Sequence, residues 1–147
     1  MFWRKKKTVK LLPPAKGKLV KIDEVPDEVF SQKMMGDGYA LVPEDGTFVA
    51  PIDGVLESVF DTGHAYGITG DDGIELLVHI GIDTVELRGQ GFQILKQAGE
   101  KVKAGDPVIQ VDLDFVKQEG YNTITPVVLL NKENPVLEIN EDFVILK

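Results

Sequence analysis

The only two histidines of the chain, His64 in DTGHAYG and His79 in LLVHIGID, stand fifteen positions apart, each in a strand-like segment close to glycine. Two neighbouring strands can bring such a pair together. An imidazole inside an apolar run is partly desolvated, which favours its neutral form near pH 7. A neutral ring has a free lone pair, and a lone pair attacks an electrophile such as phosphorus or binds a metal. The adjacent glycine leaves room for a phosphoryl group or a partner surface. A histidine in an apolar run is also a common packed core residue, so these residues alone leave core, nucleophile and ligand all open.

Other chemistries find no residues to carry them. There is no cysteine, which removes disulfide frameworks, thiolate catalysis and Cys-based zinc sites. Ser31 and Ser58 lie in no GxSxG elbow, and no GxxxxGK[ST] loop is present. Two histidines fall short of a three-ligand zinc site unless acids help. A biotinyl or lipoyl carrier needs a lysine in a tight turn, whereas the corresponding turn here reads PIDGV.

The elements that must position the histidines are short strands. VPEDGTFVAPIDGVLESVF breaks at Asp45-Gly46 and Asp53-Gly54, and ITGDDGIELLVHIGIDTVEL breaks at Asp72-Gly73, all turn or hairpin signals. DPVIQVDL, TPVVLLN and NPVLEIN follow prolines, which suits strand starts or sheet edges, and DFVILK closes the chain as a further strand. With 15 Gly and 8 Pro, the spacing predicts an all-β antiparallel sandwich or barrel. Short helices are expected at PDEVFSQKM, GFQILKQAG and DLDFVKQEG, as covers over the sheet ends. EDGTFVAPIDGVLESV and AGEKVKAGDPVIQVDL form a faint internal repeat, similar to the duplicated hairpin units of barrel-sandwich folds.

The chain has 147 residues, enough for one domain with a real core. Its net charge of −8 is unevenly spread. Residues 1–21 hold eight basic residues and no acid, which leaves eight basic against all 24 acidic residues downstream. An acidic body disfavours nucleic acid and suits basic protein partners. The domain reading is a basic extension over 1–21, flexible in its first part, followed by a single domain over 22–147. Phe2, Trp3 and the basic run Arg4–Lys7 suit peripheral contact with anionic lipid, or form a frayed solvated tail. No stretch reaches the roughly 18 apolar residues of a spanning helix, and no secretory h-region follows the basic start. The sequence therefore reads as a soluble intracellular domain.

The wording LLVHIGIDTVELRGQGF, with TGHAYGI upstream and TITPVVLLN downstream, resembles the glucose-family EIIA domain of the bacterial phosphoenolpyruvate:sugar phosphotransferase system. VPDEVFSQKMMGDGYALVP and APIDGVLESVF extend the resemblance to about residues 22–131. It implies a cytoplasmic phosphoryl carrier at the inner face of the membrane. His79 would be the acceptor through Nε2, taking the group from phospho-HPr and passing it to the EIIB domain of a sugar permease. His64 would hydrogen-bond the phosphoryl oxygens, and Thr62 would orient His64. Loose phosphoryl transfer asks the protein mainly for positioning and charge stabilisation, which such a pair supplies.

The resemblance also implies docking residues. Asp27 and Asp83 would meet partner arginines, although Asp83 is equally readable as a turn acid. Phe30, Met35, Phe60 and Val85 would form an apolar ring, and each is also readable as core. Leu77 stands where phenylalanine is frequent. The segment after TPVVLLN is shorter than in many members, which bears on the last strands and not on the histidines. No cofactor is expected beyond the phosphoryl group on His79. Two further readings are a regulatory module whose unphosphorylated form inhibits transporters or kinases, and a zinc site in which His64 and His79 are joined by a partner carboxylate.

Overall fold

The computed structural model describes residues 8–147. The described residues form thirteen short strands. The first seven are β1 (Val9–Leu11), β2 (Gly17–Lys21), β3 (Gly38–Pro43), β4 (Thr47–Val49), β5 (Gly54–Val59), β6 (Ala65–Gly70) and β7 (Glu75–His79). The rest are β8 (Phe92–Ile94), β9 (Lys101–Val102), β10 (Pro107–Val111), β11 (Thr125–Leu129), β12 (Leu137–Ile139) and β13 (Val144–Leu146). Two helices, α1 (Glu28–Ser31) and α2 (Leu113–Gln118), begin at Asp27 and Asp112, whose carboxylates accept the Val29 and Phe115 N–H. A seven-stranded sheet runs β2-β3-β11-β7-β6-β5-β9, flanked by three-stranded sheets β4-β10-β8 and β1-β13-β12. Every ladder is antiparallel, so the all-β sandwich expectation is met.

Strand alternation gives the central sheet two buried faces. Leu76, Val78 and Ile80 point into the main core with Tyr39, Phe48, Tyr66 and Leu129. Leu77 points the other way, into a smaller cluster with Val20, Ala40, Ala65 and Val128. Ile22, Val25 and Phe30, on the segment running into α1, close over that second face. The buried phenols are satisfied: Tyr39 donates to the Leu12 carbonyl (3.0 Å) and Tyr66 to that of Val49 (2.7 Å).

The internal repeat becomes a mutual embrace. The first strand of one unit, β4, pairs with the second of the other, β10, while β5 pairs with β9. The crossing is closed by Ala50 N–H to the Asp106 carbonyl (2.9 Å) and Gly105 N–H to the Ala50 carbonyl (2.8 Å). Asp72-Gly73 makes the β6–β7 hairpin as read. Asp45-Gly46 and Asp53-Gly54 turn the chain from one sheet to another, because the strands they join find their partners elsewhere.

Several expectations are corrected. GFQILKQAG is not helical: Phe92–Ile94 is an edge strand paired with β10, which lets Phe92 and Ile94 pack on the main core. The folded body begins well before residue 22. β1 pairs with β13 and β2 with β3, and Leu11 is fully buried. Phe2, Trp3 and Arg4–Lys7 lie outside the described residues. Pro126 stands in an interior strand, at a position where β11 pairs with β3 but has not yet reached β7, whose ladder starts at Val127. The short C-terminal segment still makes two strands, with β13 between β1 and β12. No helix among the described residues is long and apolar enough to cross a membrane. Leu11→Ala is expected to cost about 2–5 kcal/mol in urea unfolding, as for a core leucine. A chain-terminal extension would show no change.

Candidate functional site

His79 is the last residue of β7, and Ala65 lies directly opposite on β6. His64 precedes β6, and its carbonyl accepts the Ile80 N–H (2.7 Å), so the β6–β7 register alone brings both histidines to one sheet end. Gly63, at φ 71°, closes a tight turn through its N–H to the Phe60 carbonyl (2.7 Å). The two imidazoles stand with ring centroids 5.2 Å apart at 80°. His64 is buried and His79 half-buried.

Hydrogen bonds assign the free nitrogen. His79 Nδ1 lies 2.8 Å from the Gly81 carbonyl. A carbonyl only accepts, so Nδ1 carries the proton and Nε2 keeps its lone pair. His64 Nδ1 is in hydrogen-bond contact with the Thr62 hydroxyl. A hydroxyl both donates and accepts, so this contact admits either tautomer; where Thr62 donates, the remaining proton of His64 lies on Nε2, as a donor. Burial, with the neighbouring His79 adding to it, lowers the His64 pKa to about 4. Burial also lowers that of His79, and outweighs the Gly81 hydrogen bond and the attraction of Asp27 and Asp83. Both rings are therefore neutral at pH 7.

The surrounding residues divide. Phe30 is buried, with its ring tilted 51° to that of His79 at 5.1 Å, as a floor and not as part of an exposed rim. Phe60 meets His64 edge-on at 5.2 Å yet remains 43% exposed. Met35 and Val85 are exposed, on the segments that follow α1 and Asp83. Val29 and Met34, which sequence reading missed, are exposed on the α1 segment too. Asp27 caps α1. Asp83 has no capping bond and sits at φ 59°, an uncommon conformation that suits a short polar side chain. Leu77 is buried beneath the site in the second cluster.

Among the described residues the two imidazoles have no third ligand beside them, so a zinc site here would rest on a carboxylate from a partner. No group of three or more potential ligands is found among the described residues, and tetrahedral zinc takes four ligands or three and an open position.

Residues 9–135 match the family described as phosphoenolpyruvate-dependent sugar phosphotransferase system, EIIA 1. The chain belongs to this EIIA family. A "PTS system glucose-specific EIICBA component" of Staphylococcus carnosus is 51% identical over 126 residues, 86% of this chain and 19% of the relative. The chain thus spans about a fifth of that relative's length. A "PTS system glucose-specific EIIA component" of Staphylococcus epidermidis is 44% identical over 127 residues, 86% of this chain and 76% of the relative. Among solved structures, glucose permease IIA from Mycoplasma capricolum superimposes with a TM-score of 0.87 at 38% identity, over 99% of this chain and 100% of the other.

The lowered histidine pKa values add a pH dependence to the stability of this EIIA fold. Above about pH 6.5, His64 is neutral in folded and unfolded chains alike. Below it, the unfolded chain takes up a proton that native His64 refuses down to about 4. Stability should therefore fall as pH drops from about 6.5 to about 4, by up to about 1.4 kcal/mol per pH unit from His64. Urea titrations across that range should show a shallower slope for His64→Gln than for wild type.

Proposed function

We propose that this EIIA chain is a phosphoryl carrier in which His79 Nε2 accepts the group from a phosphohistidine on HPr and hands it to the EIIB domain of a sugar permease. The observation that carries the reading is the bond from His79 Nδ1 to the Gly81 carbonyl, which leaves Nε2 as the bare nucleophile. The Nε2 lone pair attacks phosphorus in line, the N–P bond of the donor breaks, and its electron pair returns to the donor imidazole. The phosphorylated ring of His79 holds a positive charge, stabilised by Nδ1–H donating to Gly81. His64, with its ring 5.2 Å away, donates Nε2–H to a phosphoryl oxygen, and the Thr62 hydroxyl holds it in that tautomer. Donors preset where charge lies are what phosphoryl transfer requires. The step needs no cofactor, because both electron pair and hydrogen bonds come from side chains.

Phe60, Met35 and Val85 provide apolar surface for docking, and Asp27 and Asp83 meet arginines on HPr and EIIB, in keeping with the acidic body. The names of the relatives support a glucose-type permease as the acceptor side, and a cytoplasmic setting at the inner face of the membrane goes with that proposed role.

Intact mass after incubation with phosphoenolpyruvate, enzyme I and HPr should rise by one phosphoryl group, labile in acid and stable in base. His79→Gln should show no gain. His64→Gln should still gain the group but pass it to EIIB on the order of 10²-fold more slowly. A gain on His79→Gln with none on His64→Gln would reverse the two roles.

A further inference from the structure

The Gly81 carbonyl can select the nitrogen of His79 only if it is itself held still, and glycine is the residue least able to hold itself. Gly81 sits at φ 77° in a loop that has left β7. Two peptide planes flank its Cα, and each is tied to something else. The plane between Ile80 and Gly81 is held through the Ile80 carbonyl, which accepts from the hydroxyl of the fully buried Thr84, while the Ile80 N–H donates to the His64 carbonyl. The plane between Gly81 and Ile82 is held through the Ile82 N–H, which donates to the Asn122 carbonyl (3.0 Å). In a planar trans peptide the C=O and N–H point in opposite directions. Drawing the Ile82 N–H toward Asn122 therefore turns the Gly81 C=O the other way, where His79 Nδ1 meets it at 2.8 Å. Asn122 is fixed in turn, because its own side chain accepts the Ile124 N–H (2.9 Å). The packing is equally tight: a Cβ at Gly81 would come within 2.5 Å of Thr84 Cγ2 and 2.9 Å of the Asn122 carbonyl oxygen.

We infer that Thr84 and Asn122 are positioning residues for phosphoryl transfer, clamping the two peptide planes of Gly81 so that its carbonyl commits His79 to the Nδ1–H tautomer. Neither touches the reacting nitrogen, and both act through the Gly81 carbonyl. The inference rests on the reading of His79 as the acceptor. Thr84→Val removes the hydroxyl at nearly constant volume, Thr84→Ser restores it, and Asn122→Ala removes the side-chain brace at an exposed position.

The test is nitrogen NMR of the full chain labelled with 15N-histidine, at a pH where both rings are neutral. In wild type, His79 Nδ1 should resonate as a protonated nitrogen and Nε2 as an unprotonated one. In Thr84→Val and Asn122→Ala the two resonances should move toward each other as the tautomers mix, and Thr84→Ser should restore the wild-type pattern. Phosphoryl acceptance from HPr should slow on the order of 10- to 100-fold in the first two variants, the usual cost of a small misplacement. Unchanged His79 resonances in the folded variants would overturn the inference, whatever happens to the rate. If Thr84→Val does not fold, Asn122→Ala decides alone. Wild type that accepts no phosphoryl group would instead defeat the acceptor reading, with the tautomer result standing separately.

Discussion

One hydrogen bond, from His79 Nδ1 to the Gly81 carbonyl, decides which nitrogen of the ring is available. Most of the site is arranged around it. β7 ends at His79, so that the ring leaves the sheet where the chain turns back toward it at Gly81. The opposite strand begins at Ala65, a side chain small enough to leave the space beside His79 to the ring of His64. Phe30, brought across the second face of the sheet by α1, supports the ring from beneath. Each of these elements limits the freedom of an imidazole that would otherwise exchange tautomers and rotamers, and the entropy of fixing it is met by folding before any partner arrives.

Electrostatics at the pair are a balance between burial and charge. Asp27 and Asp83 favour the imidazolium form of His79, and desolvation disfavours it more strongly. The outcome is a neutral ring at pH 7 in an acidic neighbourhood, which is the state a nucleophile needs. Around the same histidine pair, Phe60 packs against His64 and stays partly exposed, and exposed Val85 follows Asp83 by two residues. In the proposed role, charge can thus steer a basic partner to the site without protonating the acceptor.

The histidine pair, the hairpin at Asp72-Gly73 and the run of short strands were legible because each rests on local residue types. The helix read into GFQILKQAG rested on the helical spacing of Phe92, Leu95 and Lys96; it failed because Phe92 and Ile94, two apart as in a strand, answer to the core beneath β10. Phe30 was legible as apolar, but only the packing of α1 on the sheet separates a floor from a rim. β1 and β2 were hidden by the basic residues around their short apolar cores: exposed Lys10 precedes buried Leu11, and exposed Lys18 and Lys21 flank Leu19 and Val20, which are buried in different clusters. Gly81 and Thr84 carried no signal beyond lying next to His79, because their contributions come from a carbonyl and from a hydroxyl whose partner is main chain.

Phosphorus–nitrogen coupling in the phosphorylated, 15N-histidine-labelled protein tests the central claim most directly. The geometry predicts coupling of the phosphorus to Nε2 of His79, with its Nδ1 still protonated and both nitrogens of His64 uncoupled. Coupling to Nδ1 of His79, or to either nitrogen of His64, would contradict it.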